Sequence, residues 1–219
     1  MNIHYFNYYP NLIKQKSNPT FKSSARMDIN LTEGRQIIGA DGQLHKTNMP
    51  REWSRDSKES IEVAQGEYSV AEYSSRTPSL QTYGIGPCVA LTIYDKESKQ
   101  GFLAHIDSPQ KAKSLHEILP QLLKRGFDAN NCEARIIGGT TSNHSSEIIK
   151  NIQKNLNEAD LKIVETDILG KSTRNIQLDL NTGNVTDYGQ TIQSRPDISI
   201  VAWNLMYRDT LTEYCPPKQ

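Results

Sequence analysis

Two short apolar runs joined by a polar turn constrain this chain most. Val89-Ala90-Leu91-Thr92-Ile93-Tyr94 is bounded by Gly86-Pro87 before it and Asp95-Lys96 after it. Gly101-Phe102-Leu103-Ala104-His105-Ile106 follows at once, so the two runs read as the strands of a buried hairpin. The glycine-rich turn Gly84-Ile85-Gly86-Pro87 feeds the first strand and puts Cys88 at its mouth. His105 arrives on the neighbouring strand. A thiol becomes a nucleophile when a base or cation lowers its pKa, and an imidazole on an adjacent strand can do that.

The surrounding sequence supplies further strands and two helices. The spacing of Leu115, Ile118, Leu119, Leu122 and Leu123 predicts a helix over Ser114 to Arg125, capped by Ser114 and stopped by Gly126. Pro120 is expected to kink or divide it. Ile148, Ile149, Ile152 and Leu156 predict a second helix over Ser145 to Leu156. Strands are expected at Gln36 to Ile38, over 61–75, at Glu133 to Ile137, at Leu161 to Val164 and at Asn175 to Leu180. Ile198 to Trp203 is a late apolar run. Residues 1–30 are polar and read as a loosely ordered arm, leaving 31–219 as one domain.

Composition removes several classes of function. Lys+Arg and Asp+Glu both number 25, which gives no overall attraction to nucleic acid. No apolar run approaches the roughly 18 residues of a membrane span, and the polar start is unlike a secretory signal. Cys88, Cys132 and Cys215 make an odd, widely spaced set. That is neither a disulfide framework nor a metal-binding spacing, and it suits a reducing compartment. Export into a host cell would need a route without a readable signal. No metal or organic cofactor is expected.

The chemistry of the hairpin pair is that of a cysteine hydrolase or transferase. His105 can hold the thiolate and later give a proton to a leaving group. A second group must fix its tautomer, and Thr82 is the candidate. Gly84 and Gly86 allow a tight turn whose amides can face an oxyanion. Asp107 is expected on the same strand face as His105. The competing reading is inert packing, because cysteine is among the most buried residue types and a histidine on an apolar strand commonly has a structural role. His116 is expected at the surface, His144 beside a loop, and Cys132 and Cys215 as bystanders.

The segments Gly84-Ile85-Gly86-Pro87-Cys88-Val89 and Gly101-Phe102-Leu103-Ala104-His105 resemble those of the CheD family, the chemoreceptor glutamine deamidases. The likeness continues through Ala134-Arg135-Ile136-Ile137-Gly138-Gly139-Thr140 and through Ser172 to Val185, so it covers residues 82 to 185 in order. The resemblance implies an α+β fold with a mainly antiparallel, β-sandwich-like core flanked by helices and an N-terminal extension. It implies Cys88 as nucleophile, His105 as base, Thr82 as orienting group and a protein substrate presenting an exposed glutamine. Pro87 departs from the family's usual serine and removes an N–H and a hydroxyl. The long N-terminal portion is similar to deamidating bacterial toxins of the same superfamily, which implies an effector acting on a host glutamine. Two alternatives stand beside the deamidase: a binding module without catalysis, and a transglutaminase or peptidase using the same thioester.

Overall fold

The computed structural model describes residues 36–39, 60–187 and 204–215. The 1–30 arm, the turn after Gly39, the run Ile198 to Trp203 and the last four residues lie outside them. Eleven strands and three helices occupy the described residues. A seven-stranded sheet contains β1 (Gln36–Gly39), β3 (Glu67–Glu72), β5 (Val89–Asp95), β6 (Gln100–Ile106), β7 (Cys132–Gly138), β8 (Lys162–Ile168) and β11 (Thr212–Glu213), in the order β1-β8-β7-β5-β6-β3-β11. A four-stranded sheet contains β2 (Ile61–Glu62), β4 (Ser79–Ile85), β9 (Arg174–Asp179) and β10 (Val185–Asp187), in the order β10-β9-β4-β2. Most pairs are antiparallel; β7–β8, β3–β11 and β2–β4 are parallel. The fold is thus α+β and mostly sheet, as the resemblance implied.

The alternation of the central hairpin decides the layering. Val89, Leu91 and Ile93 of β5, with Phe102, Ala104 and Ile106 of β6, pack under the helices α1 (Pro109–Lys113), α2 (Leu115–Lys124) and α3 (Asn143–Glu158). Ala90, Tyr94 and Leu103 point the other way, onto Leu80, Ile85, Ile176, Leu178 and Leu180 of the small sheet or its edge. Both faces of β5 and β6 are therefore covered, which is why these strands are apolar throughout instead of alternating. Each fully buried Leu or Ile in these clusters contributes about 1.5–3 kcal/mol relative to exposure.

Several local expectations change. The stretch 61–75 is two strands in different sheets, separated at Gly66, whose φ of +84° sets the turn. Thr82 to Ile85 is not turn but the end of β4, with a bulge against β9 where Gly84 takes a φ of +70°. Pro109–Lys113 forms a helix that apolar spacing did not reveal. Ser114 consequently has helical backbone and no capping side chain, and its Oγ donates to Lys111 O at 2.8 Å. One helix runs through Pro120, because both Pro120 and His116, whose carbonyl loses its donor, face solvent. α3 starts earlier than Ser145, with Ser142 accepting from the Ser145 amide at 3.2 Å.

Candidate active site

The register of β5 and β6 pairs Ala90 with His105 and Val89 with Ile106. Side chains directly opposite share a face, and so do residues two apart along one strand. Ala90 and His105 therefore face the small sheet, and Cys88 lies in the bend that leads into β5, one residue before its first pair. Thr82 comes from the opposite layer. Its strand β4 lies across the gap between the sheets, and its Oγ sits 2.8 Å from His105 Nδ1. Thr82 and His105 thus meet between the sheets, while Cys88 stands at the entrance to the strand paired with that of His105.

The hydroxyl of Thr82 has one proton, and it is spent. Thr82 Oγ donates to Val63 O at 2.8 Å, and a carbonyl can only accept. Toward His105 the hydroxyl must accept, so Nδ1 carries the imidazole proton. That leaves Nε2 as the lone-pair nitrogen. Nε2 is buried and has no hydrogen-bond partner. A buried acceptor without a donor costs about 1–3 kcal/mol. Val63, which fixes this tautomer, was not singled out from the sequence; only the pairing of β2 with β4 brings its carbonyl to Thr82.

The expected low-pKa thiolate is not what the resting site holds. Burial pushes the Cys88 thiol up to about 12, the Asp107 carboxylate pushes the same way, and Lys111 and the residue's own amide oppose them. Burial holds His105 down at about 4. At neutral pH both groups are uncharged. The imidazole is then a base awaiting a proton and not one half of a standing ion pair. Cys88 retains 8% exposure, against 4% for His105 and 0% for Thr82.

The glycines of the turn do something other than expected. Gly84 N–H donates to Asn175 Oδ1 at 2.8 Å and Gly86 N–H to Gly84 O at 2.9 Å. Both amides are committed, and Pro87 has none. The Cys88 amide sits against its own sulfur. The turn is held from outside by residues the sequence did not flag. Ser145 Oγ donates to Pro87 O at 2.8 Å, Gly139 N–H to Cys88 O at 2.8 Å, and Arg174 Nη1 to Gly139 O at 3.2 Å. Arg174 is fully buried and paired with Asp167 at 3.1 Å.

Other candidates fall outside the pair. His116 is exposed beside Glu117. His144 Nε2 lies 2.9 Å from Asp107 O. Cys132 is buried within β7 and Cys215 is exposed. Among the described residues no cluster of His, Cys, Asp and Glu could hold a metal ion. No helix there is long and apolar enough to cross a membrane.

A buried cysteine at the entrance to β5 and a tautomer-fixed histidine on the adjacent strand define a candidate thiol-based site in an α+β protein. Comparison with known proteins gives its family. The profile described as CheD chemotactic sensory transduction matches residues 112–187. A probable chemoreceptor glutamine deamidase CheD of Thermococcus kodakarensis is 30% identical over 147 residues, covering 57% of this chain and 89% of that protein. The corresponding protein of Pyrococcus horikoshii is 31% identical over 147 residues, covering 57% and 89%. The chemoreceptor glutamine deamidase CheD of Thermotoga maritima is 26% identical over 138 residues, covering 55% and 85%. The chain belongs to the CheD family. These relatives are mostly archaeal and carry chemoreceptor deamidase names, which lends no support to the bacterial toxin that the N-terminal portion suggested.

Two effects follow from this geometry. Thr82→Val removes the acceptor for Nδ1–H and frees the ring to take the wrong tautomer. A loss of roughly ten- to a hundredfold in turnover is expected, short of the 10²–10⁴ typical of losing a general base. A wild-type rate would remove Thr82 from the site. The second effect is on stability. His105 titrates near 4 when folded and near 6.5 as an ordinary histidine. The unfolded chain binds this proton first as pH falls. The stabilisation is fully present above about 6.5 and is lost as pH drops toward 4, a change of about 3 kcal/mol. In urea unfolding at pH 7 and pH 4.5, the advantage of wild type over His105→Gln should shrink by about 2–3 kcal/mol. A constant difference would contradict the buried, neutral state.

Proposed function

We propose that this protein deamidates a glutamine side chain of a protein substrate, a chemoreceptor by analogy with the named function of its relatives. One observation carries the reading: Nε2 of His105 is a buried, unpartnered lone pair on the strand that pairs with the one Cys88 leads into. As the sulfur attacks the carboxamide carbon, the thiol proton passes to Nε2 and an S–C bond forms. The protonated imidazole then gives that proton to the amide nitrogen, and ammonia leaves. A thioester remains. Water loses a proton to Nε2, the hydroxide attacks the thioester carbon, and the S–C bond breaks as Nε2 returns that proton to sulfur, releasing glutamate and the thiol. The oxyanion would lie at the Cys88 N–H, since the neighbouring amides are committed. No thiolate has to pre-exist, which accords with two groups that are neutral at rest. The three described cysteines are free, in keeping with a reducing compartment.

The test is mass spectrometry of chemoreceptor substrate incubated with protein, searching for a gain of about one dalton at a single glutamine with release of ammonia. Incorporation of an added amine in place of water would assign a transglutaminase instead. A second reading, a binding module without catalysis, draws on Pro87 and on the committed Gly86 N–H, which together leave one amide for an oxyanion. Tight binding of the receptor without any mass shift would select it.

A further inference from the structure

A helix facing a packed sheet rarely places a lysine inward. Lys111 of α1 is fully buried, and both described hydrogen bonds of its ammonium run from Nζ to Asp107, at 2.7 and 2.8 Å. Gln65 Nε2 donates to Asp107 Oδ2 at 3.1 Å, and the Gly66 backbone closes over the ammonium so tightly that a Cβ there would lie 3.1 Å from Nζ. Stability does not account for this arrangement. Burying two charges costs several kcal/mol per ion, and apolar replacements of such pairs are often neutral or stabilising. The other buried pair, Arg174–Asp167, also ties down the carbonyls of Gly139, Leu169 and Ser172. Lys111 holds only the carboxylate. Its location is the informative point. Cys88 immediately precedes and Asp107 immediately follows the last hairpin pair, Val89 and Ile106, and Asp107 lies two residues beyond His105.

We propose that Asp107 and Lys111 are positioning residues for the Cys88–His105 couple, a buried charge pair whose carboxylate favours the imidazolium and whose ammonium favours charge on sulfur as the proton crosses. This rests on the proposed function only for the identity of the couple. The charged groups that act on Cys88 and on His105 alike are Asp107, just past the end of β6, and Lys111 of α1; His144 of α3 reaches the Asp107 carbonyl and Gln65 is neutral. Asp107 raises the proton affinity of both Cys88 and His105, and Lys111 lowers both. Held together at hydrogen-bond distance, the two nearly cancel. Removing one exposes the other in a low-dielectric site.

The test reads iodoacetamide modification of Cys88 at pH 8.5 in the full chain by peptide mass spectrometry, with Cys132 as internal reference. Lys111→Met should slow Cys88 by about three- to tenfold and Asp107→Asn should speed it by a similar factor, the effect of half to one pKa unit. A merely structural pair would loosen the site in both variants, speeding Cys88 in each, and that outcome overturns the proposal, as does no change in either. Should a single variant fail to fold, the double Asp107→Asn/Lys111→Met leaves no unpaired charge. Because the two influences oppose each other and nearly cancel, the double should react within about twofold of wild type; a larger change in either direction overturns the proposal. Alkylation needs no substrate, so the outcome is independent of whether glutamine is turned over.

Discussion

Cys88→Ser is expected to abolish glutamine turnover, by at least about a thousandfold, while leaving the fold intact. The reason lies in the weakness of the base. With His105 held near 4, the imidazole can accept a proton only as a good nucleophile commits to the carbonyl carbon. A hydroxyl gives up its proton far less readily than a thiol and attacks more weakly once it has. The substitution keeps the volume of a side chain that is 8% exposed at the mouth of β5, so stability should move by less than about 1 kcal/mol. The checks are the one-dalton shift on substrate and urea unfolding of the same preparation. Activity within tenfold of wild type would reject the nucleophile, and with it the thioester.

Gly138→Ala should be the most damaging single change outside the reacting groups. Gly138 has φ +113°, which alanine adopts only with strain. A methyl there would stand 2.3 Å from Ile85 Cγ2 and 2.7 Å from the Cys88 carbonyl oxygen. Ile85 is fully buried at the end of β4, and the Cys88 carbonyl is already engaged by Gly139 N–H, so neither yields without moving the strand that carries it. Backbone strain of about 1–3 kcal/mol adds to overpacking of about 1–3 kcal/mol, giving an expected loss of roughly 3–5 kcal/mol. Urea unfolding measures it. Because the clash falls on Cys88, turnover should drop even in the fraction that remains folded. A loss under about 1 kcal/mol with normal turnover would mean that the close approach has been misjudged.

The central hairpin was legible because both its strands are buried on two faces and its turn is polar. β7 and α3 were legible for related reasons: an apolar run ending at Gly138-Gly139, and an apolar stripe at helical spacing. Residues 61–75 were not, because a strand pattern does not reveal that Gly66 sends its two halves into different sheets. α1 was hidden for a different reason. Its buried residues are Pro109, Lys111 and Ala112, and a lysine at an inward position erases the hydrophobic signal. The same lysine is what gives the site its neighbouring charge pair.

For the proposed reacting groups, sequence supplied the candidates and their order: a cysteine at a strand mouth, a histidine on the next strand and a threonine upstream, in a pattern shared with one family. Residue types and spacing are local, so they survive in a linear reading. Charge state is not local. That the thiol and imidazole are both neutral at rest, that Nδ1 and not Nε2 bears the proton, and that the Gly86 amide is unavailable to an oxyanion were decided by Val63, Asn175 and the covering sheet, which come from distant parts of the chain. Protonation depends on how many layers exclude water and on which single acceptor takes the threonine hydrogen, and only packing in three dimensions sets either.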